Sequence, residues 1–196
     1  MATLVKPQWL AGVLKSQAQS ANVRILDASW HMPHTQRSGA KEYLEEHIPA
    51  SQYFDIDACA DTQSPYGHML PSPEKFSSYV GNLGIGNDTH VVVYDNNDLG
   101  LFSSQRAWWM FRIFGHSLVS ILDGGLPAWK RDRLELTKDV EKVTPKSFHV
   151  QYNSALYRTF EQVSHNLSNS QFKLVDARAP GRFSGTAPEP RQGVYT

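Results

Sequence analysis

Cys59 is the only cysteine in the 196 residues, so any thiol chemistry carried by the chain itself would fall on it. It stands in Asp57-Ala58-Cys59-Ala60-Asp61. Carboxylates on both sides disfavour a thiolate, and no cation or strand-to-helix loop lies beside it in sequence to restore one. The pattern therefore gives a structural thiol, and a redox protein working through Cys59 is the least favoured reading. His31 and His34 have the spacing of a metal pair, but no cysteine or carboxylate follows at ligand distance, and no metal is expected. His68, beside the Pro71 turn, reads by type alone as a surface-loop histidine. Arg182 and Arg191, in Gly181-Arg182-Phe183 and Pro188-Glu189-Pro190-Arg191, read in the same way as solvated loop arginines. No phosphate-binding loop or dinucleotide fingerprint occurs, and no cofactor is expected.

These residues hang on alternating strands and helices. Arg24-Ile25-Leu26, His90-Val91-Val92-Val93-Tyr94 and Leu118-Val119-Ser120-Ile121-Leu122 are short apolar runs of the kind that make buried parallel strands. Between them, Ser72 can cap a helix that begins at Pro73, carries Phe76, Val80 and Leu83 on one face, and ends at Gly84. A second helix, from about Ser103 to Phe114, is apolar almost all round through Trp108, Trp109, Met110, Phe111 and Ile113, so the tryptophans read as core. The alternation predicts an α/β layered domain over residues 9–134. Residues 135–155 turn polar and Lys-rich around Pro145 and read as an interdomain connector. A new unit, 156–196, then opens with a capping box at Thr159 and Gln162 and a predicted strand Phe172-Lys173-Leu174-Val175. Both Leu26-Asp27-Ala28 and Val175-Asp176-Ala177 end a strand in Asp-Ala. Their offset of 149 residues (176 less 27) is a domain-sized repeat.

Nineteen basic residues balance nineteen acidic ones, so no net field draws the chain to nucleic acid or an anionic membrane. No apolar run approaches the roughly 20 residues of a membrane span. The first 14 residues lack the apolar core of a secretory signal. A lone cysteine suits a reducing compartment, and the expected location is mitochondrial and/or cytoplasmic.

Seven segments, in order, resemble the two-domain rhodanese and 3-mercaptopyruvate sulfurtransferase family. They are Leu26-Asp27-Ala28-Ser29-Trp30, His47-Ile48-Pro49-Ala50, Phe54-Asp55-Ile56-Asp57, Ser64 to Pro71, Val91 to Asp95, Arg106 to Arg112 and Leu122-Asp123-Gly124-Gly125. The resemblance implies a rhodanese-like domain, with a mainly parallel sheet flanked by helices, followed by an incomplete second rhodanese-like repeat. It also implies a reaction. A loop cysteine takes sulfur from a small donor, 3-mercaptopyruvate or thiosulfate. It holds the sulfur as a persulfide and passes it to cyanide or to a thiol acceptor such as thioredoxin.

In that family the nucleophile loop of the first half normally lacks its cysteine, and here Asp95 occupies the place. The persulfide cysteine would belong to the second half, beyond Thr196, so the chain alone is expected to be inactive. The resemblance further implies that Asp57 and His68 form a proton relay and that Arg182 and Arg191 hold the donor's carboxylate and keto oxygen. His68 and Arg191 turn the likeness towards the mercaptopyruvate branch. Arg106 is expected at the interface with the second half. The alternative function is a non-catalytic rhodanese-like binding or regulatory module.

Overall fold

The computed structural model describes residues 2–16, 20–98 and 101–189. They fall into two compact units, Met1–Tyr157 and Arg158–Thr196. The first contains β1 (Leu4–Val5), α1 (Pro7–Leu14), β2 (Val23–Asp27), α2 (Gly39–Glu45), β3 (Ser51–Tyr53), α3 (Pro73–Asn82), β4 (His90–Tyr94), α4 (Ser104–Ile113), β5 (Val119–Leu122) and α5 (Gly125–Arg131). The five strands form one sheet in the order β1-β5-β4-β2-β3, and every pairing is parallel. This is the α/β sheet that the sequence pattern and the family resemblance both imply.

The pleat explains why the central strands read as unbroken apolar runs. Along β4, Val91 and Val93 enter a cluster with Phe76, Met110 and Phe111. Val92 and Tyr94 point the other way, into a cluster with Leu10, Leu126 and Trp129. Alternate residues thus feed two cores, one on each face, and no position is left for solvent. At the start of α3, Ser72 Oγ accepts a hydrogen bond from the Lys75 N–H at 3.2 Å, with Pro73 in the first turn. Gly84 closes the connection in the left-handed region at φ 74°.

The expected connector has a second role. Thr137 and His47 exchange backbone hydrogen bonds at 2.8 and 2.9 Å, and Lys146 N–H reaches Gly81 O at 2.9 Å. Phe148 is 4% exposed and belongs to the same core as Phe76 and Phe114. Further on, the N–H groups of Gln151 and Asn153 bond to the carbonyls of Phe114 and Ile113. Residues 135–157 therefore act as a strap over the first unit, anchored at His47 just past α2, on α3 and at the end of α4. The strap lies against Gly115, which holds φ 88°; a Cβ built there would meet Gln151 O at 2.3 Å. Gly115→Ala is expected to destabilise the first unit by about 2 kcal/mol, through the positive φ and the displaced strap. An unchanged urea midpoint would contradict this.

The second unit holds α6 (Phe160–Asn169) and a single helical turn, α7 (Pro180–Phe183). The capping box is present at the start of α6, with Thr159 Oγ1 accepting from Gln162 N–H and the Gln162 side chain accepting from Thr159 N–H. The predicted strand over Phe172–Val175 is not formed. A strand is stabilised by its neighbours across a ladder, and no strand lies beside this segment among the described residues of the unit. Asn166 instead ties the Phe172 backbone down, donating to its carbonyl and accepting from its N–H.

Candidate active site

Parallel strands deliver their following loops to one end of the sheet, and the candidate site is built there. After β3, Asp55 Oδ1 accepts from the N–H groups of Asp57 and Ala58 at 2.9 and 3.1 Å, which fixes the turn carrying Asp57. The chain then makes a long excursion, closed where Asp61 N–H meets Met69 O at 3.0 Å. His68 lies near its end with φ 60°, an uncommon backbone for any residue but glycine. This conformation brings His68 Nδ1 to 3.2 Å from Asp57 Oδ1. Nδ1 is thus buried beside a carboxylate, with no completed hydrogen bond among the described residues.

Trp30, after β2, completes the arrangement. Its indole N–H donates to Asp57 Oδ2 at 3.0 Å. Its ring stands edge-to-face on His68, with centroids 4.8 Å apart. Trp30 N–H in turn donates to Ser103 Oγ at 3.1 Å, tying β2 to the start of α4. Trp30, Ile56, His68, Phe102, Ser103 and Arg106 surround a cavity of about 220 Å³. An Asp–His pair at the mouth of an aromatic-walled cavity can bind a small molecule and move a proton at the imidazole.

The loop after β4 holds a different device. Asp95 is 1% exposed, and its Oδ2 accepts from Phe102 N–H at 2.7 Å and Ser104 N–H at 2.8 Å. Its Oδ1 accepts from Asn97 N–H at 3.2 Å. Backbone amides converging ahead of a helix form an anion cradle, and here the chain's own carboxylate fills it. Cys59 lies elsewhere, fully buried in the core with Phe54 and Phe76. Burial, with a smaller contribution from Asp55, pushes its thiol up to about 12 despite the opposing pull of Lys75. Against an ordinary thiol near 9, the thiolate is about a thousandfold scarcer at neutral pH. Cys59 should therefore resist aromatic disulfide reagents in the native chain and react at once in denaturant. Fast native labelling would sink this assignment.

The profile of the rhodanese-like domain matches residues 10–132. The chain belongs to the rhodanese family. Human 3-mercaptopyruvate sulfurtransferase is 48% identical over 191 residues, covering 97% of this chain and 64% of the relative. Rat thiosulfate sulfurtransferase is 50% identical over 187 residues, covering 95% of this chain and 63% of the relative. The chain thus spans a little under two thirds of these relatives. Among solved structures, the 3-mercaptopyruvate sulfotransferase SseA of Escherichia coli superposes with a TM-score of 0.85 at 36% identity, covering 98% of this chain and 72% of that one. The Tum1 protein of Saccharomyces cerevisiae gives 0.83 at 28% identity, covering 100% and 67%.

Of the four site residues expected from the rhodanese resemblance, Asp57 and His68 come together, although 11 positions separate them. Arg182 lies in the second unit, on α7, where Glu189 Oε2 accepts from its Nε at 3.0 Å and from its Nη2 at 2.5 Å. Arg178 binds the other Glu189 oxygen at 2.5 Å. A donor carboxylate at Arg182 would thus compete with Glu189. Arg191 lies outside the described residues. His31 is turned towards Glu42, Nε2 to Oε2 at 3.1 Å, in a cluster that also ties Arg37 to the Asn96 carbonyl. Sequence reasoning missed Trp30 and Phe102 as site residues and gave Arg106 only an interface role. The available signal was their position just after strand ends or at a helix start, where parallel sheets place their ligands.

Proposed function

We propose that the chain supplies the proton-handling half of a sulfurtransferase. The full reaction moves sulfur from 3-mercaptopyruvate or thiosulfate through a cysteine persulfide to cyanide or to a thiol such as thioredoxin. The observation that carries the proposal is the Asp57–His68 pair, 3.2 Å apart, at the aromatic cavity. It is joined by the 48–50% identity to enzymes of both donor types. That near-equality does not separate the donors; the presence of His68 and Arg191 supports mercaptopyruvate. The nucleophile in this reading is neither Cys59, which is buried and protonated, nor the loop residue Asp95.

The test is sulfide release from 3-mercaptopyruvate, and thiocyanate formation from thiosulfate and cyanide. The 196-residue chain alone is expected to show no turnover, with Cys59→Ser indistinguishable from the parent. A chimera that adds the remaining third of the rat relative is expected to turn over. In it, His68→Asn should lower kcat by about a hundredfold, the usual scale for a lost acid–base group. A silent chimera would overturn the proposal. It would favour the second reading, a non-catalytic binding module, which the Asp95-filled loop supports.

A further inference from the structure

Among the described residues the Arg106 guanidinium is a cation with no ion-pair partner. It extends from α4 to the cavity wall, and its Nη2 donates to the His68 carbonyl. Its Cζ lies 4.7 Å above the Trp109 ring. Its Nε is buried and bonds to nothing among the described residues, and no carboxylate there forms an ion pair with it. Burial pulls its pKa down, and no acidic neighbour contributes in the opposite direction. Trp30, Ile56 and Phe102 supply the apolar and aromatic part of the wall, and His68 and Ser103 the polar part. A half-buried charge left unpaired is still costly, and proteins ordinarily supply its counter-charge. Arg106 lines the cavity, and a counter-charge can enter there.

We infer that Arg106 is the anion-binding residue of this cavity, receiving an oxygen of a small sulfur-bearing oxyanion beside His68. The ligand class is one compact anionic head with an apolar or sulfur-bearing body, as in thiosulfate or a three-carbon keto acid. Such molecules suit a space of about 220 Å³ with aromatic walls and a single fork of donors. The choice of a sulfur donor rests on the sulfurtransferase reading above; the anion site itself rests on the unpaired guanidinium. The bond from Nη2 to the His68 carbonyl adds a consequence. An anion drawn to Arg106 engages a side chain that already holds the left-handed backbone of His68.

Titration of the 196-residue chain tests this, followed through the Trp30 indole N–H resonance. That signal is assigned by its loss in Trp30→Phe. Thiosulfate and pyruvate are the two probes, and sulfate is the control for charge alone. Saturable shifts are expected with at least one probe, while sulfate binds at least tenfold more weakly. Arg106→Lys, which keeps charge and approximate size, should weaken binding about tenfold by losing the fork. Arg106→Met should remove saturation altogether, and Arg131→Met, on a distant exposed side chain, should change nothing. Should Arg106→Met fail to fold, the lysine variant decides the matter. Failure of the wild type to saturate, sulfate binding as tight as thiosulfate, or variants that bind like wild type would overturn the inference. The two readings fail separately: turnover in the chimera without Arg106-dependent binding sinks this inference alone. Binding with a silent chimera sinks only the sulfurtransferase reading.

Discussion

Asp95→Ala is expected to remove about 4 kcal/mol of folding stability, much of what a domain of this size ordinarily has. The carboxylate accepts from the N–H groups of Asn97, Phe102 and Ser104. Ser103, at the head of α4, makes no side-chain cap of its own, and Asp95 satisfies the first amide of that helix, Ser104 N–H, together with two amides of the loop before it. Alanine would leave these donors unpaired at a site almost closed to water. Asparagine keeps one acceptor oxygen but turns an NH₂ towards donors, so it should lie between wild type and alanine. Urea unfolding of the three proteins checks the order. Alanine within about 1 kcal/mol of wild type would mean that the loop finds other partners.

The second large effect is in pH. Asp27 ends β2, is 2% exposed, and accepts from the N–H and hydroxyl of Ser29. Burial raises its carboxyl from 3.8 to about 6, with Asp95 nearby adding to the rise and the bonds from Ser29 and Tyr94 opposing it. A raised folded value means that the native state binds this proton more tightly than the unfolded chain does. The group's contribution therefore improves as pH falls from about 6 to about 4, and ionised Asp27 is a burden above pH 6. The gap corresponds to about 3 kcal/mol. Asp27→Asn carries no such charge. Its stability relative to wild type is expected to be most favourable at pH 7–8 and to decline by roughly that amount towards pH 4. A difference that stays constant across this range would show that Asp27 does not titrate there.

The contrast between these two aspartates shows what the sequence could express. Asp27 ends one apolar strand and Asp95 directly follows another, and both strands are legible because their residues must be apolar on two faces. Nothing in the one-letter pattern says that Asp95 meets converging amides while Asp27 meets mainly a serine. β3 was not legible for a related reason: Ser51, Gln52 and Tyr53 form an edge strand with no apolar run to mark it. β1, at two residues, is shorter than any periodicity. The predicted strand at Phe172–Val175 erred in the opposite direction. Its composition suits a strand, but composition cannot provide the neighbouring strand that would hold it. At the site, the family resemblance picked out Asp57 and His68. The role of Trp30 and the unpaired state of Arg106 arise from tertiary packing, where loops after β2, β3 and β4 converge.

The strap separates the unit of inheritance from the unit of folding. The rhodanese-like match ends at residue 132, and all five strands are complete by Leu122. A gene segment cut at that boundary would look whole in any alignment. Yet it would leave Phe148 behind and uncover the rings of Phe76 and His116 that pack against it. Recombination or domain transplantation that respects the fold has to carry the polar stretch through Asn153, although nothing in its composition marks it as part of a core.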